Sequence, residues 1–250
     1  IQTKYTADPS PMLYRDTVFL YTSHDEDDGE NFHMKDWLLY TTTDMVNWQD
    51  RGAVASLKDF KWYKNNNGAW AQQVVERNGK FYMYCPIHGN GISVLVANSP
   101  YGPFVDPLGT TLVWQKEHWY DIDPTVYIDD DGKAYHITAS QENLTLLVCE
   151  ETAASEVYTG KYNMIAPGGQ NEAPCIFKKD GTYWLICSGC TGWAPNEARM
   201  FTSKSIWGPW KQLPSPFVGT ATGYRNMPAN KTFGGHGTHI LTNVADYPIF

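Results

Sequence analysis

The sequence predicts an all-β fold: a five-bladed β-propeller with a short or incomplete fifth blade. Three observations predict it. Helical periodicity is nearly absent. Short alternating or apolar runs recur between turn signals. One pattern repeats along the chain at a spacing of about 50–60 residues, which belongs to propeller blades rather than to helical solenoids.

The strand-like runs are VFLYTS, DWLLYTTT, KFYMYCPI, ISVLVANS, TVYIDDDGKAYHI, TLLVCEE, CIFKKDGTYWLICSG and ARMFTSK. The turns ERNG, DDDG and KKDG each put Gly after Asn or Asp between two such runs, a strong hairpin signal. The repeat is visible in ADPSPMLYRDTVFLYTS, AWAQQVVERNGKFYMYCP, DIDPTVYIDDDGKAYHI and EAPCIFKKDGTYWLICS. A polar or acidic residue comes first, then usually Pro, an apolar strand, a polar turn and an aromatic strand. Unit starts lie near Asp8, Ala69, Asp123 and Glu172, with a fifth near TFGGHGTHILT. After His236 only GTHILTNVADYPIF remains, enough for one or two strands where a complete blade has four. Residues 1–250 are expected to form a single propeller domain.

The first strand of a blade lines the central channel, and its N-terminal end opens toward one face. Asp8, Asp123 and Glu172 hold equivalent places in three repeats, so the ring is expected to gather them at the channel mouth. Asp-Pro alone is a common strand or turn cap. Three carboxylates in matching positions point instead to chemistry. Crowded like charges raise one another's pKa, and paired-carboxylate catalysis needs one group protonated while another stays ionised. Asp121 is read as a rim residue or a strand cap.

The bulk numbers fit this class. At 250 residues, with 42% hydrophobic residues and a mean hydropathy of -0.44, the chain reads as a soluble globular protein. No run approaches the roughly 20 apolar residues of a membrane helix, so no membrane partner is expected. The opening IQTKYTADPS is not a signal peptide, so any export signal is expected to have been removed or never present. A net charge of -8 without a basic run excludes a nucleic-acid partner, because phosphates are bound by Lys and Arg. The 10 Trp and 16 Tyr suit both strand propensity and stacking on sugar rings. Five cysteines are not a closed disulfide framework. Cys187 and Cys190 form one CxxC, which leaves buried thiols and a disulfide both open; a zinc site lacks its second pair.

Three segments, YTADPSPM, WYDIDPTVYIDDDGKAY and NEAPCIFKKDGTYWL, together resemble glycoside hydrolase family 43, the five-bladed propeller glycosidases. The resemblance implies Asp8 as catalytic base, Asp123 as pKa modulator and Glu172 as general acid. It implies inversion at the anomeric carbon, with base and acid about 6.5–9.5 Å apart. Ala7 before Asp8 departs from the Asn-Asp-Pro-Asn-type motif of retaining relatives. NGAWAQQV resembles the segment whose Trp lines the sugar subsite, here Trp70, and a core aromatic is the alternative. SGCTGWAPN puts Trp193 in a loop between Gly and Pro, read as a second sugar platform. GGHGTHI resembles the segment whose His approaches a channel metal, often calcium; that would be His236, with water between it and the ion because calcium prefers oxygen ligands, and a plain structural His is the alternative. No organic cofactor is implied.

Through about Ala139 the chain is similar to the arabinofuranosidase and xylosidase branch; from about Gly168 it is more similar to exo-β-1,3-galactanases and galactofuranosidases. The expected activity is inverting removal of arabinofuranosyl or xylosyl units, with galactosyl units second, from plant cell-wall polysaccharides or oligosaccharides. The rival is a catalytically inactive glycan-binding propeller. A secreted or periplasmic location is expected, and the oligomeric state is not read from the sequence.

Overall fold

The computed structural model describes residues 4–87, 89–112, 120–151, 158–191 and 196–216, together with the backbones of two strands near the C-terminus. The first sheet contains β1 (Thr6–Tyr14), β2 (Thr17–Asp25), β3 (Met34–Thr42) and β4 (Gln49–Ser56). The second contains β5 (Gln73–Arg77), β6 (Lys80–Pro86) and β7 (Ile92–Ala97). The third contains β8 (Ile122–Ile128), β9 (Ala134–Ser140), β10 (Thr145–Glu151) and β11 (Tyr158–Ile165). The fourth contains β12 (Asn171–Lys179), β13 (Thr182–Gly189), β14 (Arg199–Ser203) and β15 (Lys211–Leu213). β16 (Leu241–Val244) and β17 (Tyr247–Ile249) form a two-stranded sheet.

Every sheet is an antiparallel meander, and the sheets follow one another in chain order. β1 lies beside β5, β5 beside β8 and β8 beside β12, so the first strands sit together at the hub. This is an all-β propeller. The described residues hold four sheets of three or four strands and one of two, where the sequence predicts five blades. In the second sheet the outermost strand shrinks to one bridge, where Val96 and Val105 exchange backbone hydrogen bonds of 2.8 and 2.9 Å. Among the described residues no helix is long and apolar enough to cross a membrane.

The turns follow their sequences. Arg77 pairs with Lys80 around Asn78-Gly79, and Lys179 pairs with Thr182 around Asp180-Gly181. All four turn residues have φ between 50° and 77°, the geometry of a type I′ turn, whose twist matches that of the strands. DDDG differs: Asp129 N–H donates to Lys133 O at 2.9 Å, which leaves a three-residue loop ending in Gly132 at φ 77°. Gly79→Ala meets no atom within 4 Å of an added Cβ but keeps φ at +77°. It is expected to cost about 1 kcal/mol, lowering Tm by about 2–4 °C in a thermal melt. An unchanged Tm would show that the turn relaxes.

Hydrophobic layers fill the gaps between blades. Trp37, Leu39, Phe60, Phe81, Met83 and Leu95 pack between the first and second sheets. Tyr82, Tyr84, Val94 and Val126 pack between the second and third. Ile137, Leu146, Val148, Ile176, Leu185 and Phe201 pack between the third and fourth. Alternation along β9 therefore turns Tyr135, Ile137 and Ala139 to one neighbour and His136 to the other. At the hub, the Gln73 side chain bonds both backbone groups of Val126, tying the second blade to the first strand of the third.

One ionic group interrupts the apolar layers. His136 is fully buried, and its Nδ1 bonds Glu151 Oε1 across β9 and β10. Burial opposes charge on this imidazole, but the adjoining Cys149 and Glu151 win, holding its pKa well above the ordinary histidine value. All five cysteines are free thiols, so Cys187 and Cys190 are not joined.

Candidate active site

Three first strands slip register at the same place. The shifts fall between Ala7 and Ser10 in β1, between Ile122 and Thr125 in β8, and between Glu172 and Cys175 in β12. Each contains a residue followed by Pro: Asp8-Pro9, Asp123-Pro124 and Ala173-Pro174. Proline cannot donate to a strand ladder, so it fits at a bulge. Asp8, Asp123 and Ala173 take φ of 50°, 52° and 50°. Such a conformation costs about 1–3 kcal/mol in a non-glycine residue and is concentrated at functional sites. Here it re-aims the side chains at the channel mouth.

The bulges correct one detail of the repeat. Asp8 and Asp123 are equivalent, but their counterpart in the fourth blade is Ala173; Glu172 stands one place ahead. It nevertheless lines the same pocket as the two aspartates, together with Trp70, Tyr120 and Phe32. The pocket has a volume of about 250 Å³. Ligand pockets commonly measure about 300–1,000 Å³, so this one suits a single sugar unit rather than a run of them.

Asp8, Asp123 and Glu172 are 9%, 6% and 7% exposed, so their carboxylates are largely removed from bulk water. Each is held by a named donor. Ser23 Oγ donates to Asp8 Oδ2 at 2.6 Å, from the strand paired with β1. The Ala173 N–H donates to Asp123 Oδ2 at 3.0 Å, crossing from the fourth blade to the third. This bond exists because the bulge turns the Ala173 amide out of its ladder. Asn143 Nδ2 donates to Glu172 Oε2 at 3.1 Å. Burial raises the Tyr120 phenol pKa, with Glu142 and Asp123 adding to it. The pocket thus presents buried carboxylates from three blades beside an aromatic wall, an arrangement that can support acid–base chemistry on a small polar substrate.

Trp70 lines the pocket and also packs against the hydrophobic layers on either side. Its ring faces Phe32 at 6.2 Å between centroids and 60° between planes, and its carbonyl accepts from Trp37 Nε1 at 2.7 Å. Trp193 and His236 lie outside the described residues, so neither the second platform nor a calcium donor set is tested. Asp121 is 1% exposed and therefore no rim residue; it belongs to the buried layer near Tyr158. His24, Glu26 and Asp36 bring metal-ligand atoms within 4.8 Å of one another. His24 Nδ1–H donates to Asp36 Oδ1 at 2.8 Å and Glu26 Oε2 takes the Lys35 ammonium at 3.0 Å, so these side chains already have partners within the protein.

Phe32 and Asn143 were not legible as site residues. Asn143 ends a run, Gln141 to Asn143, whose φ values lie between 56° and 64°. In the sequence this run reads only as a turn between strands. Phe32, at φ 56°, sits in the acidic loop joining β2 to β3, where no period marks it.

The sequence model described as glycosyl hydrolases family 43 matches residues 1–247. A curated xylosidase/arabinosidase of Bacteroides ovatus is 34% identical over 144 residues, covering 52% of this chain and 42% of that relative. An arabinoxylan arabinofuranohydrolase of Paenibacillus polymyxa is 36% identical over 234 residues, covering 78% of this chain and 36% of that relative. The chain thus spans less than half the length of these two curated relatives. Among solved structures, a family 43 β-1,3-galactosidase bound to galactodeoxynojirimycin superimposes with a TM-score of 0.80 at 30% identity, covering 96% of this chain and 83% of that one. Matching the family over nearly its whole length, with a propeller fold and a pocket of three carboxylates, the chain belongs to glycosyl hydrolases family 43.

Proposed function

We propose that this chain is an inverting glycoside hydrolase that removes single arabinofuranosyl or xylosyl units, and galactosyl units second, from the non-reducing ends or side chains of plant cell-wall polysaccharides or oligosaccharides. The convergence of Asp8, Asp123 and Glu172 in one pocket of about 250 Å³ carries the reading. Both groups of relatives support the substrate class, since an arabinoxylan arabinofuranohydrolase and a β-1,3-galactosidase are similar to this chain.

In this reading Glu172 gives its proton to the glycosidic oxygen as that bond breaks. Asp8, held by Ser23, takes a proton from a water that attacks the anomeric carbon from the opposite face. Asp123, held by the Ala173 N–H, serves as the pKa modulator of the neighbouring acid. Trp70 and Phe32 shield the sugar from water. Residues 1–250 act as one catalytic propeller, whose ring is completed by a fifth blade containing β16 and β17; β16 lies beside β1, as a closing blade would. A calcium ion near His236 and a secreted or periplasmic location complete the proposal.

The test is sugar release from arabinan, arabinoxylan, xylo-oligosaccharides and β-1,3-galactan, with the anomeric form of the product followed by NMR. Release of one monosaccharide with inverted configuration is expected. Retention would remove Asp8 from its role. A folded chain that binds these glycans but cleaves none would be a binding module.

A further inference from the structure

The first sheet holds a group of side chains that the catalytic reading leaves unused. The segment HDEDDGENFH, residues 24–33, ends β2 and leads to Met34, where β3 begins. Pairing of the two strands slips here: Ser23 pairs with Trp37 and Asp25 with Met34, so His24 stands opposite both Lys35 and Asp36. Such a bulge re-aims neighbouring side chains. His24 and Glu26 lie two places apart, the spacing that shares a face of extended chain. One imidazole and two carboxylates converge as a result. The ligand atoms of His24, Glu26 and Asp36 all lie within 4.8 Å of one another, and all three residues are half-buried.

Each of these groups is bonded, but to partners that a cation can replace. The Lys35 ammonium sits on Glu26 Oε2 at 3.0 Å, a positive charge from the chain in the place of a free ion. The Lys35 side chain is 39% exposed and can swing into water. His24 Nδ1–H donates to Asp36 Oδ1 at 2.8 Å; moving that proton to Nε2 leaves Nδ1 a lone pair, so that both atoms can face one ion. Asp27, Asp28 and Glu30 in the adjoining loop are exposed, and their field draws cations in.

The donor set selects the ion. Calcium and magnesium take oxygen ligands, so the imidazole disfavours them. Zinc takes imidazole and carboxylates at about 2.0–2.2 Å, and three protein ligands leave its fourth position to water. Tetrahedral ligands at that distance stand about 3.4 Å apart, so closing this set takes side-chain shifts of about 1 Å.

We propose that His24, Glu26 and Asp36 form a binding site for a zinc-class divalent ion, which clasps the two ends of the loop between β2 and β3. That loop holds Phe32 on the wall of the carboxylate pocket, facing Trp70. Glu26 N–H donates to His33 O at 3.0 Å across the ends of the loop, and the ion adds a tie from Glu26 and His24 to Asp36. It orders Phe32 without touching the reacting sugar, so the site stands or falls independently of the hydrolase reading.

The test is zinc binding to the EDTA-treated chain by isothermal titration calorimetry, with hydrogen exchange of residues 26–33 followed in parallel. The wild type is expected to bind zinc. His24→Ala should weaken binding at least about 10-fold, since even the groups that only support a metal ligand are worth about 10- to 100-fold. Lys35→Met should tighten binding about 2- to 5-fold, because the competing ammonium is gone. Opposite shifts from two substitutions in one group separate ligand loss from misfolding. Zinc should slow exchange in the loop of the wild type and leave that of His24→Ala unchanged. No zinc binding by the wild type, or an affinity that neither substitution moves, as for an ion bound elsewhere on the chain, would overturn the site. Binding without slower exchange in the loop would overturn the clasp.

Discussion

Glu172→Gln is expected to lower kcat/KM on natural glycosides by about 10²–10⁴-fold while preserving the fold. Gln keeps the shape of the side chain and can still accept from Asn143 through its carbonyl oxygen, but it has no proton to give. The loss should shrink on a 4-nitrophenyl glycoside, whose leaving group departs with little protonation. Asp8→Asn is expected to lose activity by a similar factor on both kinds of substrate, because the attacking water needs its base whatever leaves. The substituted amide would retain an oxygen for the Ser23 hydroxyl, so a loss reports chemistry rather than collapse. The measurement is steady-state kinetics on the two substrates for each variant. Loss in Glu172→Gln that is the same on both substrates would deny it the acid's role. Wild-type rates in both variants would remove the mechanism altogether.

The second large effect concerns stability. Glu151→Gln leaves the fully buried imidazole of His136 without its anionic partner, a change that costs about 3–5 kcal/mol in comparable buried pairs. For a chain of this size that is a fall in Tm of about 6–20 °C. The pH dependence has a definite sign. The folded state holds His136 above its ordinary value, so its stabilising contribution is complete below about pH 6.5 and fades as pH rises through the raised folded value. Thermal melts across pH should therefore show a flatter slope in Glu151→Gln, in which Cys149 still adjoins the imidazole. A Tm within about two degrees of wild type, with the slope intact, would show that the protein does not rely on a charged pair there.

Much of the fold was legible because its signals are local. Asn78-Gly79 and Asp180-Gly181 demand positive φ at both turn residues, and few backbones other than a tight hairpin use that. Alternation in β9 and the apolar run of β12 are read from neighbouring residues alone. The Asp-Pro pairs at residues 8–9 and 123–124 were legible as special, since Pro has no place inside a ladder. What they do to the backbone was not: the shared bulges, and the displacement of Glu172 by one place, depend on strand pairing.

The sequence by itself determined the strands, the hairpins and the repeat that becomes successive sheets, because each is encoded within a few residues or repeated. Only the tertiary structure decided the rest. Asp121 is buried rather than on a rim because the adjoining layer covers it, a matter of neighbouring blades. Asn143 reaches Glu172 across a separation of 29 residues, and Ala173 reaches Asp123 across 50. Such contacts are created when separate blades close around a common axis, and no local pattern of hydrophobicity or turn chemistry records which side chains that closure brings together.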